Sequence, residues 1–281
     1  MVFLKFADFK GIRARGIIAV IVIASVSYGV FFYLQNITEN NIRNSLFAQQ
    51  EQRQVDSTKA ISEDIKSDFD SIISRLQGLT YSIYVQQGDL FSNKTNKLMN
   101  EFFLPLATSF GVDRLAILNE NGTSVNALAL KGEQIFTGTN FSFRNWVKQT
   151  KSTLAPVFSS AYEGVDGKLR LALTYPIVNR ETGKYLGLVV VLVPTVEFFQ
   201  HYGNIYNINS QYIAVLDSNS VQLIHPVKRF VGTPFFGHYT QQITGHNTVL
   251  NNLIQTVMSG KPDLAVYNFI NGQRLNTGYP L

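Results

Sequence analysis

The sequence predicts an α+β protein: an N-terminal transmembrane helix, a long stalk helix and two tandem antiparallel sheets, the second incomplete. Three observations predict it. Residues 16–34 form a run without charge behind a basic N-terminus. Residues 36–87 lack proline and carry apolar residues at helical spacing. The rest repeats strand–turn–strand units separated by short helices, the pattern of sheets with a helical side layer.

The first element is the run GIIAVIVIASVSYGVFFYL, residues 16–34. At 1.5 Å per residue it covers about 30 Å, the thickness of a bilayer's hydrocarbon core. Residues 1–15 hold Lys5, Lys10, Arg13 and Arg15 against Asp8 alone, and no base follows the run until Arg43. The basic flank places residues 1–15 in the cytoplasm and the main domain outside it, in a single-pass protein of the cell membrane. Tyr28, Phe31, Phe32 and Tyr33 stand at the outer end, where an aromatic belt belongs. A cleaved signal peptide ending near Ser25-Val26-Ser27 is the competing reading. It leaves only Ile17 to Ala24 as its core, whereas the run continues to Leu34, which favours an uncleaved anchor.

Of the net charge of +5, residues 1–15 carry +3 and the remainder +2. The outer part is nearly neutral and has no basic stripe with interleaved aromatics, so nucleic acid is not an expected partner. With no cysteine in the chain, disulfides and thiolate metal sites are excluded.

The stalk is expected over residues 35–87. Ile61, Ile65, Phe69, Ile72, Leu76, Leu79 and Ile83 form one helical stripe. Glu63, Asp64, Lys66, Asp68 and Asp70 read as its solvated face. A first unit is expected over residues 88–205: a helix Leu98–Phe110, strands Asp113–Asn119 and Ser124–Leu130 about an Asn121-Gly122 turn, a helix Phe143–Lys151, strands Ala155–Tyr162, Lys168–Val178 and Lys184–Val193, and a helix Thr195–Tyr202. The near-continuous apolar run of Lys184–Val193 belongs at the sheet's centre. Residues 206–281 begin a similar unit: strands Gln211–Leu216 and Val221–His225, a helix Thr248–Met258, strand Asp263–Ile270, a turn at Asn271-Gly272 and strand Arg274–Tyr279. This second sheet lacks a last strand, so more of the same protein, or another chain, is expected to complete it.

These features together resemble the double Cache (dCache) extracytoplasmic sensor domain, with its two PAS-like units. Phe143-Arg144-Asn145-Trp146 is similar to that family's R-x-W helix. Pro156–Tyr162, Tyr175-Pro176-Ile177, Gly183 and Gly187-Leu188-Val189-Val190 are similar to its strand pattern. Leu223-Ile224-His225-Pro226 with Val231-Gly232 is similar to the opening of its membrane-proximal unit. The resemblance covers about residues 37–281. It implies a membrane-distal unit at 88–205, a membrane-proximal unit at 206–281, and a small ligand between the distal sheet and the R-x-W helix. Arg144, Trp146 and Tyr162 are then the ligand-binding residues. A guanidinium grips a carboxylate through paired hydrogen bonds, and an indole adds apolar area and one donor. The chain departs from the amino-acid-binding pattern, with Val147 after the Trp, about Leu192 where an acid would hold an amine, and about Thr139 in place of a Tyr. A carboxylate or another small polar or partly apolar molecule is therefore expected, rather than an α-amino acid. The plainer readings make Trp146 a core residue, Arg144 a surface residue or helix cap, and Glu163 and Asp166 solvated turn residues.

No catalytic signature is present: no G-x-x-x-x-G-K-[ST], G-x-S-x-G, H-E-x-x-H or G-x-G-x-x-G. His201, His225, His238 and His246 are scattered without metal-ligand spacing. The chain is expected to be no enzyme and to hold no cofactor and no metal. The resemblance implies a homodimeric receptor that passes its signal through the long helix to a kinase, chemoreceptor or cyclase module beyond residue 281. A membrane-tethered binding protein without its own output is the alternative.

Overall fold

A computed structural model describes residues 8–164, 166–205, 211–269 and 272–281. The chain divides into two compact units, Met1–Asp56 and Ser57–Leu281. Helix α1 spans Asp8–Thr80 without interruption. In the first unit its large apolar side chains from Ile17 to Leu34 are exposed. The segment has a mean hydropathy of 2.4, long and apolar enough to cross a membrane.

In the second unit, Ile65, Ile72, Leu76 and Leu79 of α1 are buried, with Ile61 and Phe69 packed beside them, as the stripe predicts. The acidic face is mostly exposed, but Asp68 accepts a hydrogen bond from the Tyr202 hydroxyl. Contrary to expectation, the helix ends at Thr80 and not at residue 87. Gln86 donates its side-chain amide to the Thr80 carbonyl (2.8 Å), closing that end. A single turn, α2 (Ile83–Gln86), then restarts in a new direction, leaving Ile83 exposed.

Next come α3 (Asn93–Phe110), β1 (Arg114–Asn119), β2 (Ser124–Ala129), α4 (Asn145–Thr153), β3 (Val157–Phe158), β4 (Tyr162–Glu163), β5 (Leu169–Val178), β6 (Tyr185–Pro194) and α5 (Thr195–Phe199). The strand expected over Ala155–Tyr162 is split in two, because Ala161 N–H turns from β5 to the Asp217 carboxylate (3.0 Å). The six strands form one antiparallel sheet, ordered β2-β1-β6-β5-β3 with β4 also on β5. β6 lies at its centre, as its apolar run requires.

Alternation sorts the sheet's two faces. Leu115, Ile117, Leu171, Leu173, Val189, Val191 and Val193 face the main core with α1, α3 and α5. Ala172, Leu188 and Val190 pack on the other side with Trp146 and Val147 of α4. Gly187 is where β6 passes close to β1. Its φ is +148°, and a Cβ there would lie 2.0 Å from the Leu118 carbonyl oxygen. Gly187→Ala should therefore cost about 2 kcal/mol or more, from backbone strain and overpacking. A thermal melt followed by circular dichroism checks this, and an unchanged midpoint would count against the close approach.

The second half contains β7 (Val215–Leu216), β8 (Gln222–Ile224), α6 (His238–Thr244), α7 (Thr248–Met258), β9 (Asp263–Phe269) and β10 (Gly272–Gly278). Its strands form two separate two-stranded ladders among the described residues. The expected strand from Gln211 is reduced to two residues, and the expected Asn271-Gly272 turn lies partly outside the described residues. α6 falls between the elements expected from the sequence. It is a short helix bounded by Gly237 and the left-handed Gly245. Phe230, Phe235, Leu250, Leu253, Tyr267 and Phe269 make a local core. Val215, Leu223 and Ile224 join the main core instead.

Candidate functional site

The face of the sheet opposite α1 is covered by α4 and by the connection 130–144. α4 is pinned by a buried hydroxyl pair: Thr150 and Thr174 lie 2.6 Å apart, and Thr150 also donates to the Trp146 carbonyl. The connection is stitched to the β1–β2 turn. Phe141 N–H donates to the Gly122 carbonyl (2.8 Å), and the Asn140 amide reaches Thr123 Oγ1 (3.2 Å). Gly122 has φ +77°, and a Cβ there would meet Ser142 Cα at 2.9 Å, so glycine is what admits the connection.

Between these layers lies an enclosed cavity of about 240 Å³. Its floor includes Ala116, Leu118, Val190 and Leu192; Ile135, Phe136, Thr139, Phe141 and Phe143 come from the connection. Arg144, Trp146 and Tyr162, the three residues singled out from the sequence, all stand on its wall. Leu192 and Thr139 line it as well, whereas Val147 belongs to the packing behind it. A larger depression of about 720 Å³ beside α1, lined by Glu63, Lys66, Ser67, Asp70, Ser71, Ser74, Arg75 and Phe102, is an open polar surface. It lacks the convergent apolar walls of a ligand pocket.

Arg144 is the N-terminal cap residue of α4, one residue before the helix. Its guanidinium carbon is 4.9 Å from the Tyr162 ring centroid and 5.0 Å from that of Phe143. No carboxylate pairs with it among the described residues. Trp146 is buried and tilted against Phe141, with centroids 6.1 Å apart, and its Nε1–H has no acceptor among the described residues. Burial pushes the Tyr162 phenol up to about 12, so it is a neutral donor at physiological pH.

One cluster beside the cavity is absent from the sequence reading. Arg170, 1% exposed, donates from Nε and Nη2 to Asp113 Oδ2 (2.9 and 2.7 Å) and from Nη1 and Nη2 to Asp166 (both 2.5 Å). Arg114 pairs with Glu133 (2.7 Å), which also receives Lys168 (2.9 Å). Asp166, expected to be a solvated turn residue, is thus the partner of a buried guanidinium. The Arg170 hydrogen bonds hold its carboxyl well below the usual range. Burial pushes Asp113 up, against the opposing pull of Arg170. Glu133 and Asp166 lie on the connection and on the β4–β5 turn, so the cluster ties both segments to the sheet. The scattered histidines remain apart, and no metal-holding group of His, Asp and Glu occurs among the described residues.

The architecture is a long helix against an antiparallel sheet with a roofed cavity on the opposite face. Residues 69–194 match the family model "HK/GC/Chemotaxis protein-like, sensor domain". The matched part is similar to this sensor family, and the chain shares the fold of the solved chemoreceptor ligand-binding domains. Among solved structures, "Methyl-accepting Chemotaxis protein X" superposes with a TM-score of 0.63 at 11% identity, over 85% of this chain and 93% of that one. The ligand-binding domain of Campylobacter jejuni chemoreceptor Tlp3, in complex with L-valine, gives 0.54 at 15% identity, over 83% and 88%. An extracellular ligand binding receptor from Desulfohalobium retbaense DSM5692 gives 0.55 at 16% identity over 78% of this chain, which spans only 36% of that receptor. A comparison with curated proteins gives no match.

Proposed function

We propose that this chain is the ligand-sensing region of a transmembrane receptor and that its ligand is a small molecule held in the cavity beneath α4. The observation that carries this is the meeting of Arg144, Trp146 and Tyr162 on one enclosed wall, from segments on both sides of α4. Solved relatives of the same fold are titled as complexes with L-valine and with L-Gln, which supports a small-molecule site in this fold. In this reading residues 16–34 anchor the chain, residues 35–87 form the stalk, and residues 88–205 and 206–281 form the membrane-distal and membrane-proximal parts of a homodimer. The signal passes along α1 to a module outside this sequence. Its size is limited by the ligand's differential affinity for two receptor states.

The test is a thermal-shift screen of the full 281-residue chain in detergent against carboxylates, amines, purines and sugars. A binder of the native state raises the melting temperature by mass action, by several degrees at about 100 times Kd. That shift should vanish in both Arg144→Ala and Trp146→Ala while the unliganded melting temperature of Arg144→Ala stays within about 2 °C of the parent, as for an ordinary partly exposed residue. A shift untouched by either substitution would place the ligand elsewhere.

A further inference from the structure

Resting on the reading that this cavity is the ligand site, we infer that its ligand is a small monocarboxylate with an apolar body and no ammonium group. The lining carries three guanidinium groups, those of Arg114, Arg144 and Arg170, and no Asp or Glu. Two of the three are already neutralised. Arg170 is held by Asp113 and Asp166, and Arg114 by Glu133. Only Arg144 faces the site without a carboxylate partner among the described residues. Its central carbon lies over the Phe143 and Tyr162 rings, contacts that consume none of its N–H donors and so leave them for a planar anion.

One unpaired positive charge calls for one negative charge. A dianion such as a phosphate monoester would bring more charge than the wall answers. A sugar would need many hydrogen-bond partners, where the lining away from the arginines offers chiefly Gln134, Thr139, Tyr162 and the Trp146 Nε1–H. The remaining wall, from Leu118, Ile135, Phe136, Phe141 and Leu192 among others, favours an apolar body.

An α-ammonium group would find no acid on this wall. The nearby acids Asp113, Glu133 and Asp166 are committed to arginines, and Leu192 stands on the central strand where the floor meets Arg114 across the ladder. Burying an ammonium without a counter-charge costs more than the rest of a small ligand returns. Size sets the other limit. A cavity of about 240 Å³ lies just below the range usual for drug-sized ligands. That suits a branched or arylated short-chain acid and excludes a long-chain fatty acid.

Calorimetric titration of the full chain in detergent with three probes sharing one isobutyl body tests this. Isocaproate has the carboxylate alone, L-leucine has carboxylate and ammonium, and isoamylamine has the amine alone. Isocaproate should bind at least about 100-fold more tightly than L-leucine, the scale set by an unpaired buried charge, and isoamylamine should not bind. Arg144→Ala should abolish isocaproate binding. Arg144→Lys, which keeps the charge without the planar fork, should weaken it about 10-fold. L-leucine binding as tightly as isocaproate, but lost in Arg144→Ala, would overturn the monocarboxylate inference and leave the site standing. Failure of isocaproate, isovalerate, benzoate and phenylacetate all to bind would overturn the inference too. Isocaproate binding unchanged in Arg144→Ala and Trp146→Ala would overturn the site itself.

Discussion

Arg170→Met should lower the unfolding free energy by about 3–5 kcal/mol, the cost of breaking a buried ion pair by removing one partner. The guanidinium is almost wholly inaccessible and serves Asp113 and Asp166 at once, with Glu133 Oε2 at 3.4 Å. Removing it leaves the Asp113 side chain, itself 3% exposed, with Arg114 at 3.5 Å as its remaining ion-pair partner. The thioether fills much of the volume, so the loss reads electrostatics rather than a cavity. Arg170→Lys should recover only a minor part, since one ammonium does not reproduce a fork bonded on both sides. The double variant Asp113→Asn/Arg170→Met should be more stable than Arg170→Met, because the stranded charge is gone. Urea denaturation of the three variants checks this. Equal stability of Arg170→Met and the parent would show that the cluster contributes nothing net. The same variant should weaken ligand binding, because Glu133 and Asp166 tie down the two segments flanking the cavity.

The second large effect is a loss of stability on mild acidification that originates at His225. This ring sits among Tyr212, Phe230 and Phe269, and its Nδ1 accepts the Val227 N–H (3.0 Å). Burial lowers its pKa to about 4, from the ordinary 6.5. In the folded state the ring stays neutral while the unfolded chain protonates first. The stabilising contribution is therefore complete above about pH 6.5, falls as pH drops toward 4, and changes no further below that. At pH 5 the loss attributable to His225 is about 2 kcal/mol. Carboxylates titrate over part of the same range, so the comparison is with His225→Asn, which retains an acceptor for Val227 and does not titrate. The parent should lose more melting temperature than the variant between pH 7.5 and pH 5, by roughly 4–8 °C for about 2 kcal/mol in a unit of 150–250 residues. Parallel losses in the two proteins would place the acid sensitivity elsewhere.

Much of the fold was legible because its signals are local. The α1 stripe is a periodicity, the β6 run is an unbroken apolar strand, and the β1–β2 turn is an Asn-Gly dipeptide. The cavity wall was legible through Arg144 and Trp146, two residues apart at the start of α4. The ion cluster was not, because Asp113 and Arg170 are 57 residues apart and nothing near either names the other. A signal did exist in β5. With Leu169, Leu171, Leu173 and Tyr175 on one face, Arg170 shares the other with Ala172 and Thr174. Since the connection and α4 cover that face, an arginine there needs acids brought to it. The connection 130–144 was also illegible as a roof, since its hold on the β1–β2 turn rests on Gly122 and Asn140, residues that read equally well as plain loop. In the second half, short strands and the brief α6 carry too little pattern to be assigned from sequence.

The central claim, a ligand cavity walled by α4, is most directly tested by intrinsic fluorescence. Trp146 is the only tryptophan in the chain and stands on the cavity wall, so every indole signal comes from the site. Titrating the full chain with isocaproate should shift the emission maximum and intensity saturably, with a midpoint equal to the calorimetric Kd. Arg144→Ala should abolish the change. Saturable binding by calorimetry with no change in Trp146 emission would contradict the account.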